Sequence, residues 1–164
     1  MIPLAEYLRL PVAERIFLAE IYAAAGTHLM ADTAFITEPG DTHPSQPFAP
    51  IIAVGGIPRL TRRLDDMRSG RAVQSWGPLQ LVDRWCNGAD LASVAIRGAQ
   101  VKIEMVGPRH IVDYADEAEL LVGIVGAKSG NAEGELTITI EDRQSLFDAA
   151  VLPPNRYDAA TEPP

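Results

Sequence analysis

The stretch from Ile96 to Phe147 decides the fold, and it contains VKIEM (101–105), LLVGIV (120–125) and ELTITIE (135–141). In the first and third segments, apolar residues alternate with polar ones. Because successive side chains of a strand point to opposite faces, each of these segments places an apolar row on one side and a polar row on the other. The middle segment is almost continuously apolar, which favours a strand covered on both faces. The stretch therefore predicts three neighbouring antiparallel strands.

The connections between these strands are predicted to differ in character. Residues 107–118 form a polar excursion after the turn signal Gly107-Pro108. Residues 126–134 are rich in glycine and longer than a two-residue hairpin, so we expect a flexible loop there. Asp142 is a good N-cap for a short helix over 143–150, since its carboxylate can accept hydrogen bonds from the free amides of a first turn.

Further strands are predicted at residues 29–37, 51–54 and 73–81. Residues 38–50 contain four prolines and are predicted to be a loop, because proline has no N–H to donate to a ladder. We predict a mainly β domain, either a β-sandwich or a partly closed barrel, with one or two short helices. The domain is expected to cover residues 1–152, and residues 153–164 to form an extended C-terminal tail.

The overall composition limits the classes of partner. The formal net charge of −8 argues against sequence-specific or general nucleic-acid binding, which depends on Lys and Arg neutralising phosphates. The same balance disfavours an anionic membrane surface. No apolar run approaches the roughly 20 residues that span a bilayer. The single cysteine, Cys86, excludes an intramolecular disulfide and is expected to be a partly buried small residue.

Searches for catalytic and ligand-binding motifs lead to no cofactor or metal prediction. The segment from Gly123 to Ser129 lacks the glycine that a phosphate loop needs directly before its lysine. The three histidines match no metal-ligand spacing. The acids of residues 113–119 could be interpreted as the paired carboxylates of a small hydrolase, but acidic clusters in loops are more often solvated turns. We expect no enzyme activity, no cofactor and no metal.

An ordered series of segments gives the chain a resemblance that no single motif provides. The segments are ERIFLAEIY (14–22), ADTAFITEPGD (31–41), WGPLQLVD (76–83), NGADL (87–91), IRGAQVKI (96–103) and LLVGIV with GELTITIEDR (120–125 and 134–143). Together they resemble the N-terminal region of tail-tip or baseplate structural proteins of tailed bacteriophages and prophages. The propensities of residues 13–25 favour a helix, with a buried strand as the alternative; the resemblance implies a strand.

The resemblance implies a non-enzymatic virion protein of the phage tail, assembled in the host cytoplasm. It would form a ring with copies of itself and contact other tail proteins, with residues 38–50 and 153–164 as arms. Heterologous interfaces of this kind join two different patches. The candidate patches are a basic one and an acidic one, made of Arg59, Arg62, Arg63 and Arg68, and of Asp113, Asp116 and Glu117.

Two other functions remain open. One is a host-surface or carbohydrate-binding β-sandwich module, which would expose aromatic side chains; Trp76 and Trp85 instead lie in or beside predicted strands. The other is the small hydrolase that would use the acids of residues 113–119. For the basic segment itself, a solvated strand face or short helix is the simpler interpretation.

Overall fold

Strands dominate the structure, which is a computed structural model describing residues 2–41, 44–66, 71–108, 112, 117–131 and 133–142. Strands account for 51% and helix for 3%, and the described helix is α1, Leu4–Tyr7. The mainly β prediction is confirmed. The strands are β1 (Ile16–Ala23), β2 (Gly26–Ala31), β3 (Phe35–Ile36), β4 (Pro47–Pro50), β5 (Leu60–Asp66), β6 (Arg71–Trp76), β7 (Leu79–Leu81), β8 (Trp85–Cys86), β9 (Ala89–Asp90), β10 (Gln100–Val106), β11 (Ala118–Gly130) and β12 (Leu136–Asp142).

Eight strands form one sheet in the order β3-β4-β2-β1-β10-β11-β12-β7. This sheet curls into an open half-barrel. Of the two predicted architectures, the sandwich and the partly closed barrel, the structure has the second. The predicted antiparallel succession of β10, β11 and β12 is confirmed. Two hairpins, β5–β6 and β8–β9, are separate two-stranded sheets.

The segment 51–53 bridges the opening of the half-barrel. The Ile52 N–H donates to the carbonyl oxygen of Ala31 at 3.0 Å, and the Ala53 N–H donates to that of Gln80 at 2.9 Å. The strand predicted at 51–54 is therefore wrong: the segment makes a single bridge between Ile52 and Leu81. Gly55, at φ 73°, then turns the chain in a conformation that disfavours side chains with a Cβ.

The interior of the half-barrel is a packed apolar core. It combines residues of the main sheet with residues of the segments that cover it, including Cys86, Leu91 and Ile96, each 0% exposed. A second cluster lies on the outer face, where the rings of Phe35 and Phe48 meet edge to face at 5.9 Å. A third cluster joins Leu4 and Tyr7 of α1 to Val112. The first two clusters show that apolar residues are buried on both faces of the sheet.

The helix favoured by propensity over residues 13–25 is wrong, because residues 16–23 form β1. This strand lies between β2 and β10, and four consecutive residues from Leu18 to Ile21 are buried. A strand with neighbours on both sides and cover on both faces gains more from packing than Ala and Glu gain from helix propensity.

Two predicted loops are shorter than expected. Residues 47–50 form β4, although two of its four residues are proline; β4 lies between β2 and β3 but pairs with each over only two residues. The loop predicted at 126–134 is also too long, since β11 continues to Gly130 and the connection to β12 begins after it. The predicted helix 143–150 and tail 153–164 lie outside the described residues.

Candidate functional site

The predicted basic residues that the structure describes lie on one hairpin or directly before it. Arg59 is exposed directly before β5, and Arg62 and Arg63 lie within β5, which pairs with β6. Arg68 lies outside the described residues. The alternative of a short helix over this segment is wrong: the segment is a strand.

The predicted acidic residues are only partly described, because Asp113 and Asp116 lie outside the described residues. Glu117 comes directly before β11 and is half-buried. Its carboxylate oxygen Oε1 lies 3.4 Å from the ammonium of Lys102. Within this chain, Glu117 therefore pairs with β10; its pairing with the basic segment of another copy stays a prediction.

Lys102 belongs to a charged cluster that the sequence analysis missed. The antiparallel register places Glu20 of β1 directly opposite Lys102. The Lys102 ammonium pairs with Oε1 of Glu104 as well as with Glu117, and the Tyr22 hydroxyl donates to Oε2 of Glu20. These five residues are called the outer-face cluster below. Their neighbours in β1 and β10, such as Ile21 and Ile103, point into the barrel core, so Glu20, Lys102 and Glu104 lie on the opposite side of the sheet.

Burial perturbs the ionisation of this cluster. Glu20 is 2% exposed and Glu104 is 1% exposed. Burial raises the pKa of Glu104 to about 7, with Lys102 opposing the shift and the charge of Glu117 adding to it. Burial also raises the pKa of Tyr22, reinforced by its hydrogen bond to Glu20. Burial lowers the pKa of Lys102, but its ion pair with Glu104 outweighs this and the net shift is upward.

The cluster holds more negative charge than its one ammonium can neutralise. Oε2 of Glu104 accepts no hydrogen bond from any described residue, although an unpaired buried carboxylate is costly. Adding a proton lowers this cost, so the arrangement can bind a proton near neutral pH. Because Glu104 is almost fully buried, it is not accessible to a substrate as a hydrolase carboxylate needs to be.

The sequence carried a weak signal for this cluster. Lys102 and Glu104 form the polar row of VKIEM, which alternation alone assigns to solvent. Glu20 stands between Ala19 and Ile21, inside a segment whose propensities favoured a helix. Without the register of β1 against β10, nothing in the sequence places Glu20 opposite Lys102.

A groove of about 430 Å³ lies where β1 begins and β2 ends. Phe17, Asp32, Val54 and Arg59 contribute to its lining. Oδ1 of Asp32 accepts the N–H of Phe17 at 3.0 Å, and burial raises the pKa of Asp32. Since this carboxylate ties β1 to the end of β2, it has a structural task.

Lys128 and Cys86, which the sequence analysis considered as candidate functional residues, both contribute to the fold. Lys128, the lysine of the incomplete phosphate-loop pattern, lies in β11 and donates to the carbonyl oxygens of Leu91 (2.9 Å), Ala92 (2.6 Å) and Val94 (2.6 Å). Cys86 is fully buried, and burial raises the pKa of its thiol to about 11, which makes it a poor nucleophile.

The histidines do not form a metal site in the part of the chain that is described. His28 is buried, its Nε2 has no hydrogen-bond partner there, and burial lowers its pKa; His43 and His110 lie outside that part. Among the described residues, no group of three or more His, Cys, Asp or Glu side chains could hold a metal ion. None of their helices is long and apolar enough to cross a membrane.

Comparison with known proteins adds no assignment. No protein-family model matches the chain, and no curated protein matches it either.

Proposed function

We propose that this chain is a non-enzymatic structural component of a bacteriophage tail tip or baseplate. It forms a ring with copies of itself and contacts other tail proteins. The observation that supports this best is the gathering of arginines on β5–β6, a hairpin outside the main sheet of a protein with net charge −8. The sequence resemblance to tail-tip and baseplate proteins supplies the biological setting: the tail of a virion assembled in the host cytoplasm.

The hairpin supports an interface because a two-stranded sheet is marginally stable alone. Its described contacts with the rest of the fold run mainly through β6, which lies against β12. The hairpin carries Arg62 and Arg63, with Arg59 exposed at its base and Arg71 beginning β6. A partner that covers it would add both surface area and charge neutralisation.

The acidic residues at the start of β11 and before it in the sequence are the proposed counterpart. Exposed Glu119 lies in this strand, and Glu117, Asp116 and Asp113 precede it. A basic patch that meets a different, acidic patch on the next copy is a heterologous contact, and such contacts form a ring when the rotation between copies closes. Complementary charges of this kind chiefly set orientation and association rate.

Charge reversal tests the ring. We expect the double variant Arg62→Glu with Arg63→Glu to be monomeric by mass photometry under conditions in which the native chain forms closed oligomers. The control is Arg9→Glu with Arg97→Glu, which makes the same change in net charge at two exposed positions and should leave the oligomer intact. A native chain that stays monomeric with its tail neighbours and never enters a particle would contradict the proposal.

Trp85 favours a second candidate function, a host-surface carbohydrate-binding module. Its side chain is 52% exposed in β8, and Arg84 pairs with Asp90 at 3.5 Å nearby. An exposed ring beside charged hydrogen-bonding groups suits a sugar, since its apolar face can stack while the polar groups bind hydroxyls. Binding of the full chain on a glycan array, lost in Trp85→Ala, would favour this function; no binding would count against it.

A further inference from the structure

The groove where β1 begins combines accessible apolar side chains with an exposed arginine. Val54 is fully exposed, Phe17 and Ile57 are half-buried, and all three line the groove. Its volume of about 430 Å³ lies within the range of pockets that hold whole small ligands, so it is ample for one side chain of a protein partner. An apolar side chain that entered the groove would remove apolar surface from water on both partners.

Arg59 gives this groove a positive charge for a partner to neutralise. Arg59 is exposed, and among the described residues no carboxylate pairs with it. The acid of the groove, Asp32, is already engaged within the chain, since its Oδ1 accepts the N–H of Phe17 at 3.0 Å. A partner that carries a carboxylate directly beside an apolar side chain would therefore match the groove in both respects.

Glu119 and Leu120 at the start of β11 present this combination. Leu121 lies opposite Ile103 of β10, and Glu119 lies opposite the next residue, Glu104. Leu120 is therefore the extra residue of a β-bulge. Adjacent side chains of a regular strand point to opposite faces, but a bulge re-aims them. Here both Glu119 and Leu120 are exposed, Leu120 by 40%.

One other pair of neighbours in the described part of the chain joins an exposed large apolar residue to an exposed acid. This pair is Val82 and Asp83. Oδ1 of Asp83 accepts the N–H of Trp85 at 3.0 Å, so this carboxylate is used within its own turn. No described lysine or arginine pairs with Glu119, which leaves its carboxylate available to a partner.

We propose that Leu120 of one copy enters the groove of the next copy, and that Glu119 beside it pairs with Arg59. This contact rests on the ring proposed above and names its anchor. Interface energy concentrates in the few side chains that fill pockets, so Leu120 holds the two copies together. The ion pair sets their orientation and the rate at which they associate.

Charge exchange tests the ion pair. We expect Arg59→Glu and Glu119→Arg each to raise the dissociation constant of the oligomer about tenfold or more, since each variant places two like charges together. The chain that carries both changes should recover most of the native affinity, because the opposite charges have only exchanged places. Asp83→Arg makes the same change as Glu119→Arg at another exposed acid and should associate like the native chain. The measurement is analytical ultracentrifugation.

Truncation tests the apolar anchor. We expect Leu120→Ala to raise the same dissociation constant about tenfold or more, because it removes most of the side chain that fills the groove. Leu10→Ala is the matched control, since Leu10 is also half-exposed, at 49%, and lies outside the contact. Its dissociation constant should equal that of the native chain.

Cross-linking shows directly which surfaces meet. Val54→Cys chains are mixed with tagged Leu120→Cys chains and treated with a short bismaleimide. We expect a covalent mixed dimer, whereas neither variant alone should form one in comparable yield. The native Cys86 is fully buried and should not react. Absence of the mixed dimer from an assembled oligomer would overturn the proposal.

The outcomes distinguish this contact from the ring itself. A native chain that stays monomeric with its tail neighbours would contradict both proposals. A ring that persists unweakened in Glu119→Arg and in Leu120→Ala would leave the proposed function standing and overturn this contact alone. A ring weakened by Arg59→Glu but by neither of those variants would mean that another segment occupies the groove, which also overturns the contact.

Discussion

Ile103 and Glu104 are neighbours in β10, and each is only 1% exposed, yet they lie in opposite environments. Ile103 points into the apolar core of the half-barrel. Glu104 points to the other face, where it pairs with Lys102 and where the charge of Glu117 affects its ionisation. Burial alone therefore does not indicate an apolar environment. Ile103 is stabilised by packing in the core, whereas Glu104 lies on a face that combines an apolar cluster with charged groups, and the stability of those groups depends on pH.

The largest expected loss of stability comes from removing Lys102, the cation that pairs with Glu104. We expect Lys102→Met to lower the free energy of unfolding by about 3–5 kcal/mol near pH 8, because it leaves Glu104 buried without its ion-pair partner. The measurement is urea unfolding. Below about pH 5 the loss should be smaller, since Glu104 is then protonated and neutral. An equal loss at both pH values would show that the packing of the lysine stem, and not its charge, is what matters.

On the apolar face, Ile103→Ala should cost about 2–5 kcal/mol, through lost transfer energy and the cavity left behind. Ile103→Val is the matched control and should cost about 0.5–1.5 kcal/mol. Both losses should be the same at low and high pH, because no titrating group is involved. A strongly pH-dependent loss would mean that the two faces are coupled.

The third change, Glu104→Gln, is expected to increase stability at high pH, whereas the two changes above decrease it. The pKa of Glu104 is raised from 4.5 to about 7 in the folded chain. Its contribution to stability is therefore fully present below about pH 4.5 and is lost as the pH rises through about 7. We expect Glu104→Gln to be up to about 3 kcal/mol more stable than the native chain near pH 8, as measured by urea unfolding. If Glu104→Gln were less stable than the native chain at this pH, burial of the Glu104 charge would not be unfavourable.

The smallest expected effect concerns a cation that is bound without carboxylates. Lys128 donates to three backbone carbonyls of residues 91–94. Lys128→Met should cost about 1–3 kcal/mol, because it leaves these acceptors without their donor. Unlike the loss in Lys102→Met, this loss should not change between about pH 5 and 8. Ser129→Ala, at the exposed neighbouring position, should stay within about 0.5 kcal/mol of the native chain.

The sequence was informative where alternation and burial agree. The strands β10 and β12 repeat apolar residues at every second position, and these residues line the core, so their pairing through β11 could be predicted. Residues 16–23 were harder, because their local propensities compete with burial between two neighbouring strands. The chain around Pro47 was harder still, since a strand that pairs over two residues with each neighbour needs few of the donors that proline removes.

The candidate site was predictable only in part. The arginines were found because charge runs are visible in a sequence, and β5 carries two of them. Glu117 was named as an acidic interface residue, but its ion pair with Lys102 depends on the approach of two segments, and Glu20 enters the cluster only through the register of β1. Long-range pairings of this kind are determined by how the sheet curls, which the local sequence does not specify.

Electron microscopy of assembled particles is the direct test of the proposal that this chain is a structural protein of a phage tail. We predict density for a closed ring of half-barrels at the tail tip or baseplate, in which the β5–β6 hairpin of each copy contacts the β11 surface of the next. Tails that are complete without this chain, or particles in which it occurs only as isolated copies outside a ring, would contradict the account.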